Sequence, residues 1–177
     1  MKPFSAQKIL LFVGLLMLCV SCQIGEMEKD LRPNIIFILA DDLGWADLPV
    51  YGNKFNETPN LQRLAKEGMV FTNAYAACPV CSPTRASIQS GQYPARVGVI
   101  DFIPGHWRPY EQLTVPQNRT QYLPLEIESL GEMMKGAGYR TGYFGKWHLG
   151  NSQTHGPDKQ GYDESVVYNG GGYYGYG

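Results

Sequence analysis

The sequence predicts an α/β fold, a mostly parallel sheet flanked by helices. Three observations carry that prediction. Strand-like apolar runs alternate with helix-patterned runs, the chain order of βα units. The first run, Ile35-Ile36-Phe37-Ile38-Leu39-Ala40, is continuously apolar, as expected of a strand buried on both faces. It stops abruptly at Asp41-Asp42, which puts two carboxylates at the strand's C-terminal end, where open α/β sheets bind ligands.

Residues 1–33 stand apart from this pattern. Lys2 and Lys8 precede the uncharged apolar run 9–20, which is shorter than the ~20 residues that span a bilayer. Residues 1–22 therefore read as a signal peptide. Val20-Ser21-Cys22 resembles a bacterial lipobox, in which the cysteine, here Cys22, is lipidated. Cys19 stands where a leucine is usual, and ordinary signal-peptidase cleavage nearby is the alternative. Either route predicts an exported chain, free in the periplasm or held by a lipid anchor to a bacterial membrane. Residues 23–33 are a polar linker, and 34–177 form the folded part.

Within that part, Thr58-Pro59-Asn60 starts a helix with Leu61, Leu64 and Ala65 on one face and Gly68 as its stop. Residues 69–75 form a second strand candidate. The loop 78–81 then runs into a helix through 86–90, closed by Gly91. Residues 101–120, rich in Pro, Arg and aromatics, read as a long surface loop, and its Trp107, Arg108 and Tyr110 could meet a sugar. A third helix is expected over 125–137, with Ile127, Leu130, Met133 and Met134 on one face and Gly138 as its end. A third strand, 139–144, leads into Gly145-Lys146-Trp147-His148-Leu149-Gly150.

The 177 residues suffice for one domain with a real core. Fifteen basic against 16 acidic residues, with no basic stretch, exclude nucleic acid as an expected partner. The 4 cysteines form two Cys-x-x-Cys spacings, Cys19/Cys22 and Cys78/Cys81. Cys19 falls in the signal segment, so a four-cysteine zinc site fails. A thioredoxin-like pair needs its helix at the first cysteine, whereas in this chain the helix signal follows Cys81.

Three constellations could carry chemistry. Asp41-Asp42 offers hard oxygen ligands that suit Ca²⁺, or less well Mg²⁺, though two carboxylates leave a calcium shell incomplete. A solvated acidic loop is the competing reading. Cys81-Ser82-Pro83-Thr84-Arg85-Ala86 puts a cysteine at a helix mouth, where free N–H groups favour an anion. Pro83 fits the first turn, and Arg85 follows Cys81 by about one turn. A buried packing cysteine is the alternative. Lys146 and His148 point to the same side if strand geometry persists, making a cationic, proton-donating pair suited to an oxyanion and its leaving group. The alternative is a surface strand end.

Together these residues resemble the N-terminal part of the type I sulfatases, of the alkaline phosphatase superfamily. The resemblance rests on Asp41-Asp42, the Cys-x-Pro-x-Arg signature at Cys81, Pro83 and Arg85, and Gly145-Lys146-Trp147-His148-Leu149-Gly150. Thr58-Pro59-Asn60-Leu61, Ser90-Gly91 with Tyr93-Pro94, and Gly161-Tyr162-Asp163 add to it. It covers residues 33–163. The run 95–105 resembles bacterial arylsulfatase-like members that act on sulfated glycans.

The resemblance implies an alkaline-phosphatase-like fold and a sulfuric ester hydrolase acting on a sulfated sugar or aryl sulfate. It implies that a maturation enzyme converts Cys81 to formylglycine, whose hydrate attacks sulfur. Asp41, Asp42 and the modified Cys81 would hold calcium, Arg85 the hydrate, and Lys146 and His148 the sulfate ester. Members are normally much longer. The chain is therefore expected to be a truncated or partial catalytic domain, without the later metal ligands and with little activity alone. Two other readings fit the same residues: a phosphate or phosphonate ester hydrolase of the same superfamily, and a non-catalytic exported lipoprotein that binds glycan.

Overall fold

The computed structural model describes residues 32–105 and 119–168. The signal segment with Cys22, most of the linker, and Trp107, Arg108 and Tyr110 lie outside the described residues. The chain divides into two units between Ala40 and Asp41.

The described part of the first unit forms no helix and belongs to no ladder. Ile36 and Ile38 are 85% and 84% exposed, so the expected buried strand over 35–40 is not formed. A strand buried on both faces needs sheet neighbours and a layer packed over each face. The sheet among the described residues has two strands, and neither is this run.

The second unit begins with two short 3-10 turns, Trp45–Asp47 and Pro49–Tyr51. Helix α1, Pro59–Glu67, starts after Thr58 and ends at Gly68, as the sequence predicts. Its apolar face is not covered, since Leu61 and Leu64 are exposed. The second expected strand, 69–75, is also absent, and Met69, Phe71 and Tyr75 face solvent.

Helix α2, Cys81–Ser90, is the pivot of this unit. Its C-cap, Gly91, lies in the left-handed region at φ 66°, where a side chain would be strained. Ser82, Pro83, Arg85, Ala86 and Gln89 are buried. A single turn follows, α3, Pro94–Val97.

The third helix is shorter than expected. Helix α4 spans Leu130–Gly136, because Ser129 and Glu132 form a capping box that fixes its start there. Gly161 packs so closely on the first turn of α4 that a Cβ would strike the Glu132 backbone.

Strand β1, Gly142–Lys146, is the expected third strand shifted toward the Lys146 motif. It pairs in parallel with β2, Glu164–Tyr168, from Gly142↔Glu164 to Lys146↔Tyr168. Parallel pairing demands a crossover. It is supplied by residues 147–163, which include α5, Ser152–His155, and a 3-10 turn, Pro157–Lys159. The architecture is thus α/β, with a small parallel sheet beside helices.

The core is compact: Ala86, Val97, Val99, Leu123, Trp147 and Leu149, with Ile103, Ile127, Tyr143, Tyr162 and Val167 packed against it. It lies where α2 meets the segment leaving β1. Trp147 is fully buried, and its Nε1 donates to the His155 carbonyl at 2.8 Å.

Candidate active site

Cys81 is the first residue of α2, half-buried, with extended Val80 before it and no side chain capping that turn. The helix mouth thus carries unused donor capacity and a positive dipole end beside the thiol. Ser82 is fully buried, and its Oγ accepts from the Ile103 N–H at 3.1 Å.

Arg85, one turn on, is 6% exposed and gathers the other groups. Its Nη2 pairs with Asp41 Oδ1 at 3.2 Å. Its Nη1 donates to the Lys146 carbonyl at 2.6 Å and to the Tyr143 hydroxyl at 3.3 Å. Lys146, the last residue of β1, sends its Nζ to Asp41 Oδ2 at 2.6 Å. The two oxygens of one carboxylate are therefore shared between two cations drawn from distant parts of the sequence.

The electrostatics follow from that sharing. Burial alone would raise the Asp41 pKa, but hydrogen bonds from Lys146 and Arg85 outweigh it and hold the carboxyl below 3.8. Burial alone would lower Lys146; the Asp41 hydrogen bond, with electrostatic contributions from Cys81 and Asp41, wins and raises it above 10.5. Both groups are charged at neutral pH.

His148 departs from the strand. β1 ends at Lys146, and His148 has φ 55°, so the alternation expected from Lys146 to His148 does not continue. The imidazole is 5% exposed and its Nε2 bonds the Ile103 carbonyl. A carbonyl only accepts, so Nε2 carries the hydrogen and Nδ1 the lone pair in the neutral ring. Nδ1 is buried without a hydrogen-bond partner. Burial pushes the His148 pKa below 6.5, the Ile103 bond opposes this, and the charges of Lys146 and Arg85 add to the lowering. The pair is therefore one ammonium and one neutral imidazole at neutral pH, rather than two cations.

Of the residues expected from sequence, Asp41, Arg85 and Lys146 are brought into direct contact. Cys81 acts on Lys146 electrostatically, and Lys146, Arg85 and Asp41 act on His148. Asp42 is exposed, with φ 58°. Sequence reasoning missed Tyr143 and the Ile103 carbonyl. A tyrosine inside a strand reads as packing, and a backbone acceptor carries no side-chain signal.

The residues present do not make a calcium shell. Both Asp41 oxygens face cations, and among the described residues no cluster of three His, Cys, Asp or Glu side chains could hold a metal ion. Two carboxylates are too few ligands for calcium.

Comparison with known proteins identifies the family. Residues 33–176 match the Sulfatase family model. The chain is 43% identical over 150 residues to N-acetylgalactosamine-6-sulfatase of Sus scrofa, covering 85% of this chain and 28% of that protein. It is 42% identical over 118 residues to arylsulfatase A of Homo sapiens, covering 67% of this chain and 21% of that one. Among solved structures, Ps i-CgsB matches with a TM-score of 0.64 and 38% identity, over 79% of this chain and 29% of that protein. A crystal structure of the same protein in complex with k-i-k-neocarrahexaose matches equally well in TM-score, at 0.64 and 37% identity over the same shares of both chains. The chain spans a little over a quarter of the length of the first relatives it matches. Its α/β architecture is the alkaline-phosphatase-like fold of these proteins, and the chain belongs to the sulfatase family.

Proposed function

We propose that this chain carries the nucleophile-bearing part of a sulfatase active site, which removes sulfate from a sulfated sugar. The observation that carries this reading is the contact of Arg85 and Lys146 through Asp41, with Cys81 one turn before Arg85 at the uncapped start of α2 and within electrostatic reach of Lys146. A sulfate ester is an anion, and a helix mouth beside an ammonium and a guanidinium attracts one. Family membership and the relatives' names support sulfate as that anion. N-acetylgalactosamine-6-sulfatase and the neocarrahexaose complex favour a glycan substrate, with aryl sulfates as the simpler class.

Formylglycine derived from Cys81 supplies the hydroxyl that attacks sulfur. The half-buried, polar setting of Cys81 fits that modification. Arg85 orients the nucleophile and shares Asp41 with Lys146. The Lys146 ammonium stabilises charge on the ester and its leaving oxygen. The free Nδ1 lone pair of His148 can accept a proton, and the ring can return it to the leaving group. Calcium at Asp41 and Asp42 belongs to the family reading, but the described residues lack its shell. Orientation, charge stabilisation and proton transfer rest on this chain's own side chains. A maturation enzyme acting on Cys81, export through residues 1–22 and lipidation of Cys22 complete the reading.

Peptide mass spectrometry over Cys81, from a host with maturation machinery, tests the nucleophile. The expected result is replacement of CH₂SH by CHO; a plain thiol counts against it. Matched aryl sulfate and aryl phosphate monoesters test the chemistry, and faster turnover of the phosphate would move the chain to the phosphatase reading.

A further inference from the structure

We propose that Tyr143 is a positioning residue that fixes the Arg85 guanidinium and the Lys146 backbone as one unit. The inference rests on the reading that Arg85 and Lys146 serve the reaction. The Tyr143 hydroxyl donates to the Lys146 carbonyl at 2.7 Å and accepts from Arg85 Nη1 at 3.3 Å. Arg85 Nη1 also donates to that carbonyl at 2.6 Å. The hydroxyl's one hydrogen and a lone pair are both used, and the carbonyl accepts twice, which closes a ring of three hydrogen bonds.

The ring ties α2 to the last residue of β1. A guanidinium is planar, so fixing Nη1 in this ring sets the direction of Nη2, which holds Asp41. The phenol is itself held. Its ring packs edge-on against Trp147 and Tyr162, with centroids 5.0 and 5.3 Å away. Tyr162 in turn donates to Gln89 Oε1 at 2.8 Å, one turn beyond Arg85 on α2. Tyr143 is thus wedged between α2 and the end of β1, with its polar tip in the site and its body in the core.

Two substitutions in the full chain test this. Tyr143→Phe removes the hydroxyl that meets Arg85; Tyr162→Phe removes a hydroxyl from the same aromatic cluster that meets Gln89 instead. The nitrogen-15 signals of the Arg85 guanidinium report its rotation without any need for turnover. Tyr143→Phe is expected to speed that rotation, and Tyr162→Phe to leave it as in the parent. In sulfate ester hydrolysis, Tyr143→Phe is expected to lower kcat about tenfold, the worth of one hydrogen bond to a charged group, with KM little changed. Unchanged Arg85 rotation in Tyr143→Phe overturns the proposal, as does equal loosening by Tyr162→Phe at equal loss of stability. The Arg85 signals decide the role of Tyr143 whether or not the chain alone hydrolyses a sulfate ester, whereas a Cys81 that stays a plain thiol counts against the proposed function.

Discussion

Helix α1 and helix α2 are nearly the same length, yet they are held in opposite ways. Helix α1 has the cleaner apolar stripe, but Leu61 is 46% and Leu64 62% exposed. Helix α2 has a mixed sequence, CSPTRASIQS, and buries five of its residues. Its hold comes from specific bonds: Arg85 to Asp41, Lys146 and Tyr143, Ser82 to Ile103, and Gln89 to Tyr162. An apolar stripe states only that a helix wants a partner. A polar network names the partner, because each donor needs a particular acceptor.

That contrast can be broken in order of expected effect. Trp147→Ala removes the largest fully buried side chain in the core beside α2 and is expected to cost about 4 kcal/mol, read from urea unfolding. Arg85→Ala leaves Asp41 with one cation instead of two and empties a buried position. It is expected to cost about 3 kcal/mol and to abolish sulfate ester hydrolysis. If Arg85→Ala unfolds at the parent's urea concentration, the network positions groups without holding the helix.

Acidification is the next probe. The unfolded imidazole takes its proton near 6.5, whereas folded His148 does so at lower pH. Between the two the unfolded state binds more protons, so stability falls as pH drops below 6.5 and the loss is complete below the folded pKa. An NMR titration giving His148 a folded pKa at or above 6.5 would contradict this. The smallest effect belongs to α1. Leu64→Ala, on its uncovered face, is expected to shift stability by no more than about 0.5 kcal/mol. A larger loss would mean that the stripe is covered in solution.

Which elements were legible in the sequence follows the same division. Helix boundaries set by local chemistry were readable: Thr58 and Gly68 around α1, and Gly91 after α2. The start of α4 was misplaced because the apolar periodicity from Ile127 outweighed the Ser129–Glu132 capping box. The strands expected at 35–40 and 69–75 failed for a different reason. Apolar content marks a run for burial, but a ladder needs a neighbour that the run does not contain. In the site, Asp41, Arg85 and Lys146 were legible because Asp41 closes an apolar run, Arg85 follows Cys81 by about one helical turn and Lys146 closes a strand. Their mutual contact was not, nor was the neutral state of His148, which follows from the burial of the ring after a bend past β1 and from the nearby charges of Lys146 and Arg85.

The bond from Arg85 to the Lys146 carbonyl spans 61 residues of sequence. A chain made from its N-terminus therefore exposes Cys81 and Arg85 well before the acceptor of Arg85 exists. The thiol at the head of α2 passes through a stage of synthesis in which the Lys146 ammonium does not yet act on it, and that stage closes when β1 arrives.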